Sequence, residues 1–178
     1  MSLSRNRYVL APAAKAEFLS WWHGITSEKA SGTARADRAV LKRADTLTAV
    51  ACTPAYQRIY RKMAAANDGE RWQPFELERI AAVIGLAAHV KSSVPMSLPQ
   101  AMSHRADGSD RNPVSDLRFS RLLDAPDFEA LFTGLRRSLP LIDNQVDLTT
   151  LADDVFGWGD VVKKRWAYTY KWPEKSGG

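Results

Sequence analysis

Basic side chains recur at helical spacing in one segment near the start of the chain. Within SGTARADRAVLKRA, Arg35, Arg38 and Lys42 fall within about 60° of one another on a helix that turns about 100° per residue, and Arg43 flanks them. A ridge of cations that faces away from the core can contact phosphate groups spaced along a nucleic-acid strand. The same pattern is typical of a solvated helix face, so both interpretations stay open at this point.

The second half of the chain carries three smaller groups of cations. These groups are Arg118 with Arg121, Arg136 with Arg137, and Lys163 with Lys164 and Arg165. Residues three apart on a helix project from the same side, so the first pair forms a small ridge. The guanidinium fork of arginine donates two parallel hydrogen bonds to a phosphate, and aromatic residues beside the last group can stack on bases. Packing in the core is the more usual role of such aromatics, and that alternative stays open.

The charge of the whole chain favours an anionic partner. Its 178 residues carry 25 lysines and arginines against 20 aspartates and glutamates, for a net charge of +5. Residues 1–62 hold 11 basic and 4 acidic side chains, whereas residues 111–178 hold 10 of each. The positive charge is concentrated near the start, which favours a one-sided field toward nucleic acid.

Residue types that carry catalysis do not form a recognisable set. Cys52 is the only cysteine and the three histidines stand apart, so ligands for a metal are lacking. Neither a glycine-rich phosphate loop nor a nucleophile elbow is present. A helix turns the adjacent Asp153 and Asp154 about 100° apart, so they do not form an acid–base pair. The sequence predicts a protein that is not an enzyme and needs no metal and no cofactor, in which His89 and Cys52 pack in the core.

The hydrophobic periodicity is helical almost throughout, which predicts an all-α protein. The predicted helices cover about 13–23, 33–51, 54–66, 74–91, 115–124, 127–139, 148–156 and 160–171. In the last of them Trp166, Tyr168, Tyr170 and Trp172 alternate with a period of two, which favours a strand, but no partner strand is visible elsewhere. We therefore expect a bundle of about eight helices with no substantial sheet.

The stretch 92–113 differs from the rest in its three prolines and many turn-forming residues. It predicts a long loop with one helical turn near 98–103. This loop divides a single helical subunit, 1–178, into two expected lobes, 1–91 and 114–178.

Membrane and secretory segments are not visible in the sequence. No apolar run approaches the roughly 20 residues that span a bilayer, and the first residues lack the apolar core of a secretory signal. These observations predict a cytoplasmic protein with no membrane partner.

The order of several segments resembles one known family. An early FLSWW helix precedes the basic segment SGTARADRAVLKRA, and PAYQRIYRKM and the apolar IAAVIGLAAHV follow. The second half contains LRFSRLLDAPDFEALFTGLRRSLPLI and ends with VDLTTLADDVFGWGDVVKKRWAYTYKW. From about residue 13 to 172 this order is similar to that of the CasB family, the small subunit of the type I-E CRISPR Cascade surveillance complex.

The resemblance implies a two-lobed, all-helical and non-enzymatic subunit that works in antiviral defence. Two copies would assemble head to tail, against the backbone subunits of the complex and near its large subunit. Their basic surfaces would face the hybrid of CRISPR RNA and target DNA and the displaced single-stranded DNA, and would stabilise this R-loop. The matching positions for phosphate contacts are Arg35, Arg38, Arg43, Arg118, Arg121 and Arg137, followed by Lys42, Arg136, Lys163, Lys164 and Arg165.

Two other functions stay open from the residues alone. One is a helical protein–protein interaction module whose exposed aromatics dock partners and whose basic faces are merely solvated, without direct nucleic-acid contact. The other is a metal-dependent nuclease whose carboxylates come from distant positions, although no ligand set is visible. Where the cations lie in the folded protein distinguishes a shared binding surface from scattered solvated faces.

Overall fold

The computed structural model describes residues 9–69 and 71–174. Ten α-helices lie in these ranges: α1 (Pro12–Thr26), α2 (Gly32–Arg43), α3 (Leu47–Ala51), α4 (Pro54–Ala65), α5 (Pro74–Ala87), α6 (Leu98–Met102), α7 (Asp116–Leu123), α8 (Phe128–Ser138), α9 (Leu148–Phe156) and α10 (Asp160–Thr169). A 3₁₀ turn, Leu139–Ile142, follows α8. The prediction of an all-helical fold is confirmed.

Sheet structure in the described ranges consists of two short strands. β1 (Ser92–Ser93) and β2 (Gln145–Val146) pair in parallel, with Ser92 opposite Gln145. Lys91 N extends this pairing by donating a hydrogen bond to Asn144 O at 2.8 Å. The strands join the end of α5 to the turn before α9, and their size agrees with the expectation of no substantial sheet.

α5 is the central helix of the core. Its residues 80–87 are all buried, and it packs against α3, α8 and α9. A Cβ atom on Gly85 would lie 3.0 Å from side-chain atoms of both Phe132 and Val50, so glycine lets α8 and α3 approach α5 closely. Buried residues from α1 through α10 form one continuous cluster that includes this helix. The division into two lobes stays a prediction.

The predicted helix 33–51 is wrong, because the chain forms two helices there. α2 ends early, and the Thr46 side chain caps α3 by accepting a hydrogen bond from Ala49 N at 3.0 Å. The Glu129 carboxylate, on α8, accepts a second hydrogen bond from Leu47 N at 3.1 Å. These two acceptors satisfy N–H groups that have no partner inside a helix, so they favour a new start at this point.

Helical spacing predicts that this segment turns one apolar stripe inward, and the inward face of α2 differs from it. The predicted stripe is Ala36, Val40, Ala44, Leu47 and Ala51. Leu41 is fully buried, whereas Ala36 is exposed and Val40 is half-buried. On a helical wheel Leu41 lies about 60° from Arg38, whereas the centre of the predicted stripe lies about 160° from it. Arg38 consequently lies at the edge of the core instead of on an open ridge.

Aromatic side chains fix the last helix against α7. Trp166 and Tyr170, four residues apart, are buried, whereas Tyr168 is 91% exposed. The Phe119 ring stacks on Tyr170 at 4.0 Å between centroids, and Tyr170 Oη donates a hydrogen bond to Val114 O at 2.6 Å. The period-two alternation of aromatics is thus a buried pair four residues apart, Trp166 and Tyr170, with the exposed Tyr168 between them. The predicted helix is confirmed.

The stretch 92–113 contains α6, which confirms the predicted helical turn near 98–103. Its later part is bonded to Lys171, two residues beyond the end of α10. Ser103 Oγ accepts a hydrogen bond from Lys171 N at 3.0 Å, and Asn112 Nδ2 donates one to Lys171 O at 2.8 Å. The later part of the loop is therefore attached to the segment that follows the C-terminal helix.

The prediction that Cys52 packs in the core is wrong. Cys52 is the C-cap residue of α3 and is exposed. The helix ends here because the next residues, Thr53 and Pro54, start α4, and Thr53 caps α4 by accepting a hydrogen bond from Tyr56 N at 3.0 Å. The side chain therefore lies at a surface corner between two helices.

Candidate nucleic-acid interface

A surface groove runs along α2 and carries four of the predicted site residues. Its volume is about 590 Å³, and Arg35, Arg38, Lys42 and Arg43 line it beside the turn that follows α1. Glu28 is the carboxylate of this lining. We call this cavity the first groove. Among the described residues of the lining, four cations against one carboxylate make it a favourable position for an anionic ligand.

Arg38 joins the first groove to the end of α5. Its Nε donates a hydrogen bond to Ala88 O at 3.0 Å, and its Nη2 donates one to Val90 O at 3.2 Å. Burial lowers the pKa of the guanidinium from its ordinary value, and arginine nevertheless stays charged at neutral pH. α5 ends at Ala87, short of the predicted 91, because these carbonyls bond to Arg38 instead of to a further helical turn.

The acidic residue on α2 has a cation of its own. Asp37 Oδ1 accepts a hydrogen bond from Arg58 Nη2, and the two form an ion pair between α2 and α4. Asp37 is on the opposite side of α2 from Lys42 by helical spacing. The carboxylate therefore balances Arg58 and leaves the cations of the first groove largely uncompensated.

A second groove lies between α7 and α8. Its volume is about 440 Å³, and its lining includes Arg118, Arg121 and Arg137 together with Ser138. All three arginines are exposed, and the described lining contains no carboxylate. The fold thus brings Arg118 and Arg121 of α7 together with Arg137 of α8. Arg136, the other arginine of the α8 pair, does not line this groove.

A close contact between α7 and α8 sets the width of the second groove. A Cβ atom on Gly134 would lie 2.6 Å from Leu122 Cδ2, well inside van der Waals contact. Leu122 is buried, so its methyl group has packed neighbours on the other side. Glycine at this position therefore permits the spacing that brings Arg121 and Arg137 to one groove.

We expect Gly134→Ala to lower the free energy of unfolding by about 1–2 kcal/mol, because the added methyl must displace Leu122 into a packed core. Urea denaturation measures this change. Gly24→Ala is the matched control, since a Cβ at this position inside α1 meets nothing within 4 Å and a helix interior favours alanine. A Gly134→Ala variant that is as stable as the Gly24→Ala variant would contradict the close contact.

Arg136 connects the two grooves. Its Nη2 donates a hydrogen bond to Lys42 O at 3.0 Å, which ties α8 to the last turn of α2. Arg137, the next residue, lines the second groove, while Lys42 lines the first. We call the combined set the basic strip: Arg35, Arg38, Lys42, Arg43, Arg136, Arg137, Arg118 and Arg121.

The three predicted cations of α10 lie elsewhere. The described packing of this helix is against α6 and, through Trp166 and Phe119, against α7. Lys164 is exposed and Lys163 is half-buried, whereas Arg165 Nη1 forms an ion pair with Asp154 Oδ1 at 2.8 Å. The structure therefore gives Arg165 a structural partner and does not bring this group into either groove.

His89 is a member of the site that helical spacing assigned only to the core. Burial lowers its pKa to about 4, and the nearby charges of Arg136, Lys42 and Arg38 act in the same direction. The ring is therefore neutral at pH 7 while three cations surround it. The sequence carries no signal for this cluster, because its members come from three helices that are distant along the chain.

Other chemistry finds little support in the part of the chain that the structure describes. Within residues 9–69 and 71–174 no group of three or more histidine, cysteine, aspartate or glutamate side chains is arranged to hold a metal ion. No helix among the same residues is long and apolar enough to cross a membrane. The strongest concentration of like side chains is the basic strip, which fits an anionic polymer.

Comparison with known proteins identifies the fold as that of a helical CRISPR-associated protein. Residues 37–170 match the family model of CRISPR-associated protein Cse2. The crystal structure of TTHB189, a Cse2-family protein from Thermus thermophilus, matches with 27% identity and a TM-score of 0.62. The crystal structure of CasB from Thermus thermophilus matches with 26% identity and a TM-score of 0.61. Both matches cover 90% of this chain and 97% of the other.

A search of curated proteins finds no match. The family model nevertheless spans most of the chain, and the fold agrees with both crystal structures. The chain belongs to the Cse2 family of CRISPR-associated proteins, which confirms the resemblance seen in the sequence.

Proposed function

We propose that the protein is a non-catalytic small subunit of a CRISPR RNA-guided surveillance complex of the Cascade type. In this role it holds nucleic-acid backbone along the basic strip and stabilises the R-loop during antiviral defence. Its nucleic-acid partners are the hybrid of CRISPR RNA with target DNA and the displaced single strand. Its protein partners are the backbone and large subunits and a second copy of itself.

The hydrogen bond from Arg136 Nη2 to Lys42 O is the observation that carries this proposal. It joins Arg136, the residue before Arg137 of the second groove, to the backbone of Lys42, which lines the first groove. Scattered basic faces would contact isolated phosphates, whereas neighbouring grooves can follow a strand over several nucleotides. The exposed state of most strip residues leaves their side chains available for such contacts.

The physical requirements of the role are modest. Formation of an R-loop exchanges one duplex for another of similar stability, so a few contacts to the backbone shift the balance. Contacts to phosphate are independent of sequence, which suits a subunit that must accept any target. Such a subunit needs positioned cations and no catalytic group.

We expect direct binding of the protein to a mixed-sequence single-stranded oligonucleotide, with strong dependence on salt. If five to eight strip cations contact phosphates, log K should fall with log salt at a slope between about −3 and −6. Fluorescence anisotropy at increasing potassium chloride measures the slope. A flat salt response, or no binding at low salt, would overturn the assignment of the strip to nucleic acid.

One observation favours the interaction-module function instead. Val161 and Tyr168, both on α10, are 80% and 91% exposed, and such apolar surface is characteristic of protein contacts. Pull-down of the assembled complex with and without nuclease treatment distinguishes the two functions. Loss of the protein from the complex after nuclease supports the strip, whereas full retention combined with absent oligonucleotide binding supports the module.

A further inference from the structure

His89 lies where the ends of three helices meet. Arg38, from α2, donates hydrogen bonds to the carbonyl groups of Ala88 and Val90, which flank His89 at the end of α5. Arg136, from α8, donates to the carbonyl group of Lys42 in the same region. The junction therefore holds a histidine among three cations, two of which line the first groove.

The polar atoms inside this junction are incompletely bonded. His89 Nε2 and Arg136 Nε are both buried, and neither has a hydrogen-bond partner among the described residues. Buried polar atoms are nearly always paired in folded proteins, so two such atoms at one junction mark a place where a further interaction is expected. The bonds that Arg136 and Arg38 do make are to backbone carbonyl groups and hold both side chains in place.

The charges that act on His89 help to explain why its ring is neutral at pH 7. Arg38 and Lys42 on α2 and Arg136 on α8 are the charged groups that shift its pKa, and all three are cations. Trp22 of α1, which donates a hydrogen bond to Ala87 O near the end of α5, adds no charge. A positive ring at this point is therefore opposed by its surroundings as well as by burial.

A phosphate group held by Lys42 and Arg38 would reduce the repulsion between the three cations and a protonated His89 ring. Its negative charge offsets the three cations, and a protonated imidazole then becomes easier to form. By linkage, a ligand that raises the pKa of a group binds more tightly when that group is protonated. The half-buried ring responds to the phosphate through the local electrostatic field.

We propose that binding of nucleic-acid phosphates at the junction of α2, α5 and α8 is coupled to uptake of a proton by His89. The inference rests on the proposed function, since it names His89 as a proton-coupled residue of the same strip. It predicts that affinity for nucleic acid rises as the pH falls through the bound-state pKa of His89 and levels off below about pH 4, the pKa in the free protein.

Measurement of the His89 pKa by NMR, with and without a thymidine oligonucleotide, tests the coupling without any substitution. We expect the pKa to rise by at least one unit on binding, while the exposed His23 and His104 serve as internal references. If the bound pKa reaches about 5.5, affinity at pH 5 should exceed that at pH 7.5 by roughly 4-fold, and by roughly 30-fold if it returns to about 6.5.

His89→Gln is the variant to compare, because the amide keeps polar atoms at this position and does not titrate. It should lose the part of the pH dependence that belongs to His89, while His104→Gln keeps it. An unchanged His89 pKa in the bound state, or identical pH profiles for the parent and His89→Gln, would overturn this inference alone. Absence of oligonucleotide binding at every pH would overturn it together with the proposed function.

Discussion

Replacement of Arg118, Arg121 and Arg137 by glutamine should weaken binding of single-stranded DNA by roughly 100-fold at 0.1 M salt. Three lost phosphate contacts reduce the slope of log K against log salt by about 2 for a single strand. If affinities converge near 1 M salt, that change in slope amounts to two orders of magnitude at 0.1 M. All three side chains are exposed at the second groove, so the fold should tolerate the change.

The matched control removes the same charge from another surface. Arg61, Lys62 and Arg71 are exposed and line neither groove of the strip, and their replacement by glutamine lowers the net charge equally. Anisotropy titrations of both triple variants separate a defined interface from general attraction to a basic protein. Equal losses in the two variants would mean that the grooves have no special role. In the assembled complex, the first variant should also shorten the lifetime of the R-loop.

Local sequence signals predicted most of the helices. Short-range rules place a helix N-terminus at a proline, especially after a threonine cap. α4 begins at Pro54 after Thr53 and α5 begins at Pro74, as those rules predict. The helix predicted over 127–139 likewise agrees with α8, which buries Leu131, Phe132 and Leu135. These features depend on neighbours within one or two turns, which a single sequence contains.

The features that sequence could not predict depend on partners far along the chain. The break between α2 and α3 depends on Glu129, which is 82 residues beyond the Leu47 amide that it binds. The inward turn of Arg38 depends on carbonyl groups 50 and 52 residues away. Helical spacing identified the cations only as candidates. The contacts between helices decide which of them share a groove.

Asp154 shows the same limit in the C-terminal half. As a neighbour of Asp153 it resembles a solvated helix charge, yet its side chain is buried, with 3% exposure. Its carboxylate accepts hydrogen bonds from Arg165 Nη1 and from Trp166 Nε1, each at 2.8 Å. This buried carboxylate fixes α9 to α10, because it is bonded to one charged and one neutral donor of α10. Loss of either donor would leave a desolvated oxygen without a partner. The described contact of Arg165 is therefore a structural one, with Asp154, and not one at the basic strip.

Trp166→Ala should lower the free energy of unfolding by about 4–5 kcal/mol, a large share of what a domain of this size usually has. The indole is fully buried, packs edge-on against Trp158 with centroids 4.9 Å apart, and donates to Asp154. Removal of the indole leaves a cavity and also leaves Asp154 Oδ2 without its hydrogen-bond donor. Tyr168→Ala, two residues along the same helix and 91% exposed in the parent, should change stability by less than about 0.5 kcal/mol. Chemical denaturation of the two variants side by side measures the difference, and similar midpoints would mean that α10 does not hold its aromatic face against α7 and α9.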